Sequence, residues 1–199
     1  METLLLDADK EKDLQIAGEF LREGRLVVFP TETVYGIGAR ADSESAVRRL
    51  YEVKRRNAAK KSTLLIADPV RAEKFAGPFE PEVEQISRSF WPGPLTIVVW
   101  TDAGGWTGLR CPDCRPTRRI LRHAGVPIMT PSANVSGDPP AKDAREALEI
   151  FDGKIVAVVD GGPARIGVSS TVVRVCKGEM EILREGSLSV EKLHTCLKQ

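Results

Sequence analysis

No run of about 18 apolar residues, the length a membrane-crossing helix requires, occurs anywhere in the chain. The opening METLLLDADKEKD has a short apolar stretch with acidic flanks, which excludes a secretory signal and makes a cytoplasmic location the expectation. Charge of one sign is also scarce: 29 basic residues oppose 28 acidic ones, a formal net charge of +1. Affinity for a polyanion would have to come from local clustering, not from a global field. Cysteine is limited to four positions, and only Cys111 and Cys114 form a CxxC pair. No second pair follows, and neither His123 nor His194 lies at finger spacing, so free thiols are the reading and no metal site is assigned. A GxxxxGK[ST] phosphate loop is absent, and YGIGAR lacks the third glycine of a dinucleotide fingerprint.

What remains is the composition of an ordinary globular protein, 42% hydrophobic and 29% charged over 199 residues. That length suits a single domain, residues 1–199, with a core large enough to fold without disulfides. Apolar residues at helical spacing predict helices over 13–21, 44–54 and 81–90, with Ser43 as an N-cap for the second. Further helices are expected after Asp68-Pro69, near 142–150 and from Val190 to Leu197. Strands are expected at 26–29, 62–67, 95–100, 126–129, 154–160, 170–175 and 180–184. Helices and strands alternate, yet the last strands follow one another directly. An α/β sheet of mixed direction accounts for both features.

Several strand ends carry hydroxyls, glycines or cations. Residues 25–38, RLVVFPTETVYGIG, break an apolar run with Thr31, Thr33 and a glycine pair, which calls for a turn or a ligand. VKRRNAAKK places Lys54, Arg55, Arg56, Lys60 and Lys61 after a helix. They either complement its dipole in water or relieve their mutual repulsion on an anion. In TPSANVSGDPP, Ser132 and Asn134 either satisfy a local turn or form a polar fork on a ligand. GVSSTVVRV repeats the pattern of hydroxyls before a strand, and Arg184 in ILREGS would clamp an anion if one lay opposite.

FPTETVYGIG, the KRR at 54–56, FWPGPLTIVV, TPSANVSG, SSTVV and LREGS occur in the order found in the YrdC/Sua5 family, which the chain resembles from about residue 10 to 188. That resemblance implies a YrdC-like fold: a twisted, mixed open sheet with flanking helices around a deep cavity, here in the short single-domain form. It also implies L-threonylcarbamoyladenylate synthase activity. This nucleotidyltransferase reaction joins L-threonine, bicarbonate and ATP, with Mg2+, and releases pyrophosphate. The product would pass to a separate tRNA threonylcarbamoyl transferase that modifies adenosine at position 37.

By the same resemblance Thr33, Thr31, Arg110 and Ser170 belong to the threonine end. Lys54 and Arg56 are the expected catalytic cations, and Arg56, Lys60, Ser132, Asn134, Lys142 and Arg184 the nucleotide contacts. The pattern implies no catalytic histidine, and His123 and His194 are read as structural or surface residues. The chain departs from the family pattern at Asn57, in the NAAKKST loop, at Trp106 and around Cys114, which touches the substrate ends of the cavity. Two other readings fit less well. Related carbamoyl-adenylate enzymes are multidomain chains, and an RNA-binding module would want more positive charge and aromatic RNA motifs.

Overall fold

The computed structural model describes residues 2–57, 62–101 and 104–197. Local chemistry sets many element ends. Ser43 accepts the amide of Ala46 and starts α2 (Glu44–Lys54). Asp143 accepts that of Glu146 and starts α6 (Ala144–Phe151). Asp68 caps only a 3₁₀ turn (Pro69–Arg71) before the one-turn α3 (Glu73–Ala76), shorter than the helix expected there. The remaining helices are α1 (Glu11–Arg22), α4 (Pro81–Phe90), α5 (Arg115–Ala124) and α7 (Val190–Leu197). Among the described residues none is long and apolar enough to cross a membrane.

Ten strands among the described residues form one sheet: β1 (Leu4–Asp7), β2 (Val27–Phe29), β3 (Gly36–Arg40), β4 (Thr63–Leu65), β5 (Leu95–Thr101), β6 (Gly105–Arg110), β7 (Ile128–Met129), β8 (Ala157–Asp160), β9 (Thr171–Cys176) and β10 (Glu179–Arg184). Their order is β1-β8-β2-β3-β7-β4-β6-β5-β9-β10. Directions are mixed: β1 and β2 run parallel to β8, β4 to β6, and β5 to β9, while the other neighbours are antiparallel. The expected α/β sheet of mixed direction is therefore observed.

Four elements escaped the sequence reading. Residues 36–40 are a strand, not a turn. A Cβ at Gly36 would lie 2.6 Å from the Thr130 methyl, and one at Gly38 would lie 2.6 Å from the Phe29 ring. These glycines permit close packing within the sheet. β1 and β6 are strands whose short or glycine-rich sequences hide the alternation. In α5 the apolar stripe Thr117, Ile120, Leu121 and Ala124 is buried between arginines.

Apolar packing falls into three clusters. One joins α1 and α5 to a face of β1, β2 and β8, and another joins α2 and α6 to the opposite face of β2, β3 and β8. The third packs α3, α4 and α7 on one face of β5, β6 and β9. On β5, Leu95, Ile97 and Val99 enter this core, while Thr96 and Val98 turn to the other face and line a cavity. The cavity sits where the sheet lacks a second helical layer.

Candidate functional site

The cavity measures about 370 Å³ and draws its walls from the ends of β4, β6, β7, β9 and β10 and from the segment after β2. Thr31 and Thr33 occupy that segment, and both are buried. Thr31 Oγ1 donates to the Val34 carbonyl at 2.6 Å and lies 2.9 Å from Thr33 Oγ1. Thr33 Oγ1 also accepts from Arg110 Nη2 at 2.9 Å. With the Thr31 proton committed to Val34, the Thr33 hydroxyl donates to Thr31 and accepts from Arg110. Arg110 is held further by its Nε–H to the Gly93 carbonyl at 3.3 Å and by Glu32 Oε1 at 2.8 Å. The hydroxyls and glycines after β2 therefore serve two needs: the threonines edge the cavity, and the glycines let β3 pack.

At the other side Arg184 reaches the cavity because β10 carries a register shift between Ile182 and Arg184, which sets Arg184 opposite Val172. Its Nη2 and Nε donate to the Ser170 carbonyl at 2.8 and 3.2 Å, and Nη2 lies 3.3 Å from Ser170 Oγ. Ser170 Oγ also meets Thr96 Oγ1 at 3.0 Å. The return of the chain is clasped by Thr171 Oγ1, which donates to the Leu188 carbonyl and accepts the amides of Gly186 and Leu188. A Cβ at Gly186 would lie 2.3 Å from the Ser169 carbonyl, so only glycine fits this crossing. Burial, and then the positive charge of Arg110, lower the Arg184 pKa from its ordinary value. Arg56 and Ser132 complete this side of the wall.

A hydroxyl-rich hollow with three guanidiniums suits a ligand that carries both carboxylate and phosphate groups. The family model Sua5_yciO_yrdC, described as telomere recombination, matches residues 19–186. The chain belongs to the Sua5/YciO/YrdC family. It is 39% identical over 193 residues to the threonylcarbamoyl-AMP synthase of Pyrococcus abyssi, covering 92% of this chain and 57% of that one. With the Bacillus subtilis threonylcarbamoyl-AMP synthase the identity is 37% over 191 residues, covering 91% and 55%. The chain thus spans little more than half the length of these two relatives. The structure of P. abyssi Sua5 complexed with L-threonine superposes with a TM-score of 0.92 at 36% identity, over 98% of this chain and 61% of that one.

Within this family framework, seven of the residues picked from sequence line the same cavity: Thr31, Thr33, Arg56, Arg110, Ser132, Ser170 and Arg184. Three others stand elsewhere. Lys54 lies behind the wall, 1% exposed, and its Nζ donates to the carbonyls of Ser132 and Asn134 at 2.5 and 2.6 Å. The ammonium thereby fixes the TPSAN turn from beneath, and burial with a smaller push from Arg56 lowers its pKa to about 7. Asn134 also turns away from the cavity, because its own turn satisfies it. Oδ1 accepts from Ser132 Oγ at 2.6 Å, and Nδ2 donates to the carbonyls of Val135 and Asp138 at 2.7 and 2.9 Å. The local-turn reading describes both residues, and Ser132 also lines the cavity. Lys142 is exposed, and its stem passes beside Gly167 away from the cavity lining. Lys60 lies outside the described residues.

The lining also includes Ser62, Thr96 and Thr130, which sequence reasoning did not assign to a ligand, and Trp106, which it noted as a departure from the family pattern at the substrate ends. Thr130 Oγ1 and Ser62 Oγ are buried without a hydrogen-bond partner among the described residues. Hydroxyls placed that way are free to meet a ligand. The available signal was parity, since Thr130 lies two residues before Ser132. The CPDC thiols differ in kind: burial pushes Cys111 up to about 12 and raises Cys114, so both stay protonated at neutral pH and are poor nucleophiles. His123 meets Glu11 at 2.7 Å on the surface between α5 and α1, in keeping with a structural reading.

Proposed function

We propose that the chain carries L-threonylcarbamoyladenylate synthase activity, a nucleotidyltransferase reaction, in a YrdC-like domain. The observation that carries this reading is the convergence of Thr33, Arg110 and Ser170 with Arg56, Ser132 and Arg184 around one hollow. The names of the P. abyssi and B. subtilis relatives support it, as does the L-threonine bound to P. abyssi Sua5.

In this reading the threonine amine, once deprotonated, attacks the carbon of CO2 formed from bicarbonate and gives a carbamate. A carbamate oxygen then attacks the α-phosphorus of ATP, the bond to the β-phosphate oxygen breaks, and pyrophosphate leaves. Arg110 and Thr33 hold the amino acid, and Ser170 positions it. Arg184, Arg56 and Ser132 orient the nucleotide and stabilise charge that develops at phosphorus. The buried site keeps water from the carbamate, which decomposes in solution. Among the described residues the lining offers hydroxyls and guanidiniums but no carboxylate, so Mg2+ would enter on the phosphates of ATP and supply charge neutralisation there. The adenylate would then pass to a tRNA threonylcarbamoyl transferase in the cytoplasm.

The test is pyrophosphate release that requires ATP, L-threonine and bicarbonate together. Release driven by carbamoyl phosphate without threonine would instead indicate a carbamoyl-adenylate enzyme. Tight RNA binding without turnover would indicate an RNA-binding module. Arg56→Ala is expected to weaken ATP binding about tenfold or more, as loss of one charge-assisted contact does, with cooperative unfolding retained. Unchanged nucleotide affinity in a calorimetric titration would remove Arg56 from the site.

A further inference from the structure

Two of the guanidiniums lining the cavity are balanced in opposite ways. Arg110 is paired with a carboxylate, Glu32, whose Oε1 lies 2.8 Å from Nη2, the two side chains being 9% and 2% exposed. Arg184 instead rests on the Ser170 carbonyl, a neutral acceptor, at 2.8 and 3.2 Å. One end of the cavity is therefore close to electrically neutral, and the other keeps the full charge of its arginine.

Glu32 does not itself line the cavity. Apart from the ion pair, neither of its carboxylate oxygens meets a hydrogen-bond donor among the described residues. A buried carboxylate with so little support is a poor stabilising device, because its desolvation outweighs what one arginine returns. Folding alone gives no reason to keep a charge at this position, whereas selection of a ligand does.

We infer that Glu32 assigns the two ends of the cavity: by cancelling the charge of Arg110 it bars phosphate from that end and reserves it for a ligand with no net charge, such as a zwitterionic amino acid. A phosphate group brought to Arg110 would face the Glu32 charge directly behind it, a juxtaposition that weakens binding strongly. An amino acid brings its own ammonium, which offsets the penalty while its carboxylate meets the guanidinium. At Arg184 no carboxylate among the described residues of the lining opposes the phosphates. Without this division both ends would attract the same polyanion, and ATP or its pyrophosphate product would block the amino-acid end. Naming the amino acid as threonine rests on the function proposed above; the charge asymmetry does not.

The test is calorimetric titration of inorganic phosphate into wild type, Glu32→Gln, Arg184→Gln and the Glu32→Gln/Arg110→Gln double variant, with thermal unfolding as the fold check. Phosphate should bind Glu32→Gln about tenfold tighter than wild type, or with a second equivalent, as removal of a facing like charge allows. The double variant should lose that gain. In wild type, phosphate should leave L-threonine binding unchanged, and in Glu32→Gln it should compete with it. Identical phosphate binding in wild type and Glu32→Gln would overturn the inference. Should Glu32→Gln fail to fold, Arg184→Gln decides, since full phosphate affinity there would place the anion away from the Arg184 end. Failure of wild type to bind L-threonine would sink the proposed function, while the phosphate titrations would still judge Glu32.

Discussion

The two halves of the sheet are built from the same kind of strand and meet different fates. β2 and β8 lie under helices on both faces, and Val27, Val28, Phe29 and Ala157 to Val159 are all fully or nearly fully buried. On β5, β9 and β10 one face enters the third apolar cluster, and the other carries the cavity and, farther along β9 and β10, exposed side chains. Burial on both faces marks the first half, and burial that alternates with exposure along β9 and β10 marks the second. The difference teaches where chemistry can be placed. The doubly covered half has no room for it, and the singly covered half leaves every second side chain free to be polar.

Phe29→Ala should test the first half most severely. The ring is fully buried and also packs against Gly38, and its removal should cost about 3–5 kcal/mol in denaturant unfolding. A loss below about 1 kcal/mol would break the comparison. A paired test lies on β5. Ile97→Ala, on the core face, should cost about 2–4 kcal/mol, whereas Val98→Ala, on the cavity face, should cost less than about 1 kcal/mol and show itself in the KM values. Equal losses at the two positions would mean that the second face is packed after all.

A pH-dependent test concerns Lys54, which ties the end of α2 to the TPSAN turn. Its folded-state pKa of about 7 lies below the ordinary 10.5. Between those values the unfolded chain holds a proton that the folded chain has released, so stability from this group rises with pH through that window. Below pH 7 both states are charged, and the penalty for burying the ammonium is fully present. The unfolding free energy of wild type relative to Lys54→Met should therefore move in favour of wild type as pH rises from 7 to 10. A difference that stays flat with pH would show that the carbonyls of Ser132 and Asn134 hold the ammonium charged throughout.

Most of the fold was legible because it depends on period and on caps. The apolar run in LTIVVW, the stripe of α2 and the cap at Ser43 are local signals that tertiary packing did not overrule. β3 was missed because its glycines answer to Phe29 and Thr130, neighbours that a linear reading does not see. At the site, the motif residues on strand ends met in one hollow, since parity places them on one face. Lys54 and Asn134 show the limit. Their types and positions suit a ligand, but buried carbonyls nearby claim their donors first. Glu32 carried no signal of its own, because a glutamate between two threonines shows its importance only when Arg110 is found beside it.

The extra residue in β10 has a wider consequence. Leu183 is the residue over which the pairing slips, and it is half exposed at the mouth of the hollow. Pairing all residues of this strand without the slip would set Leu183 opposite Val172, on the cavity face, and carry Arg184 one place on, opposite Thr171, toward the apolar layer. A one-residue slip in this strand thus decides whether the hollow receives its cation.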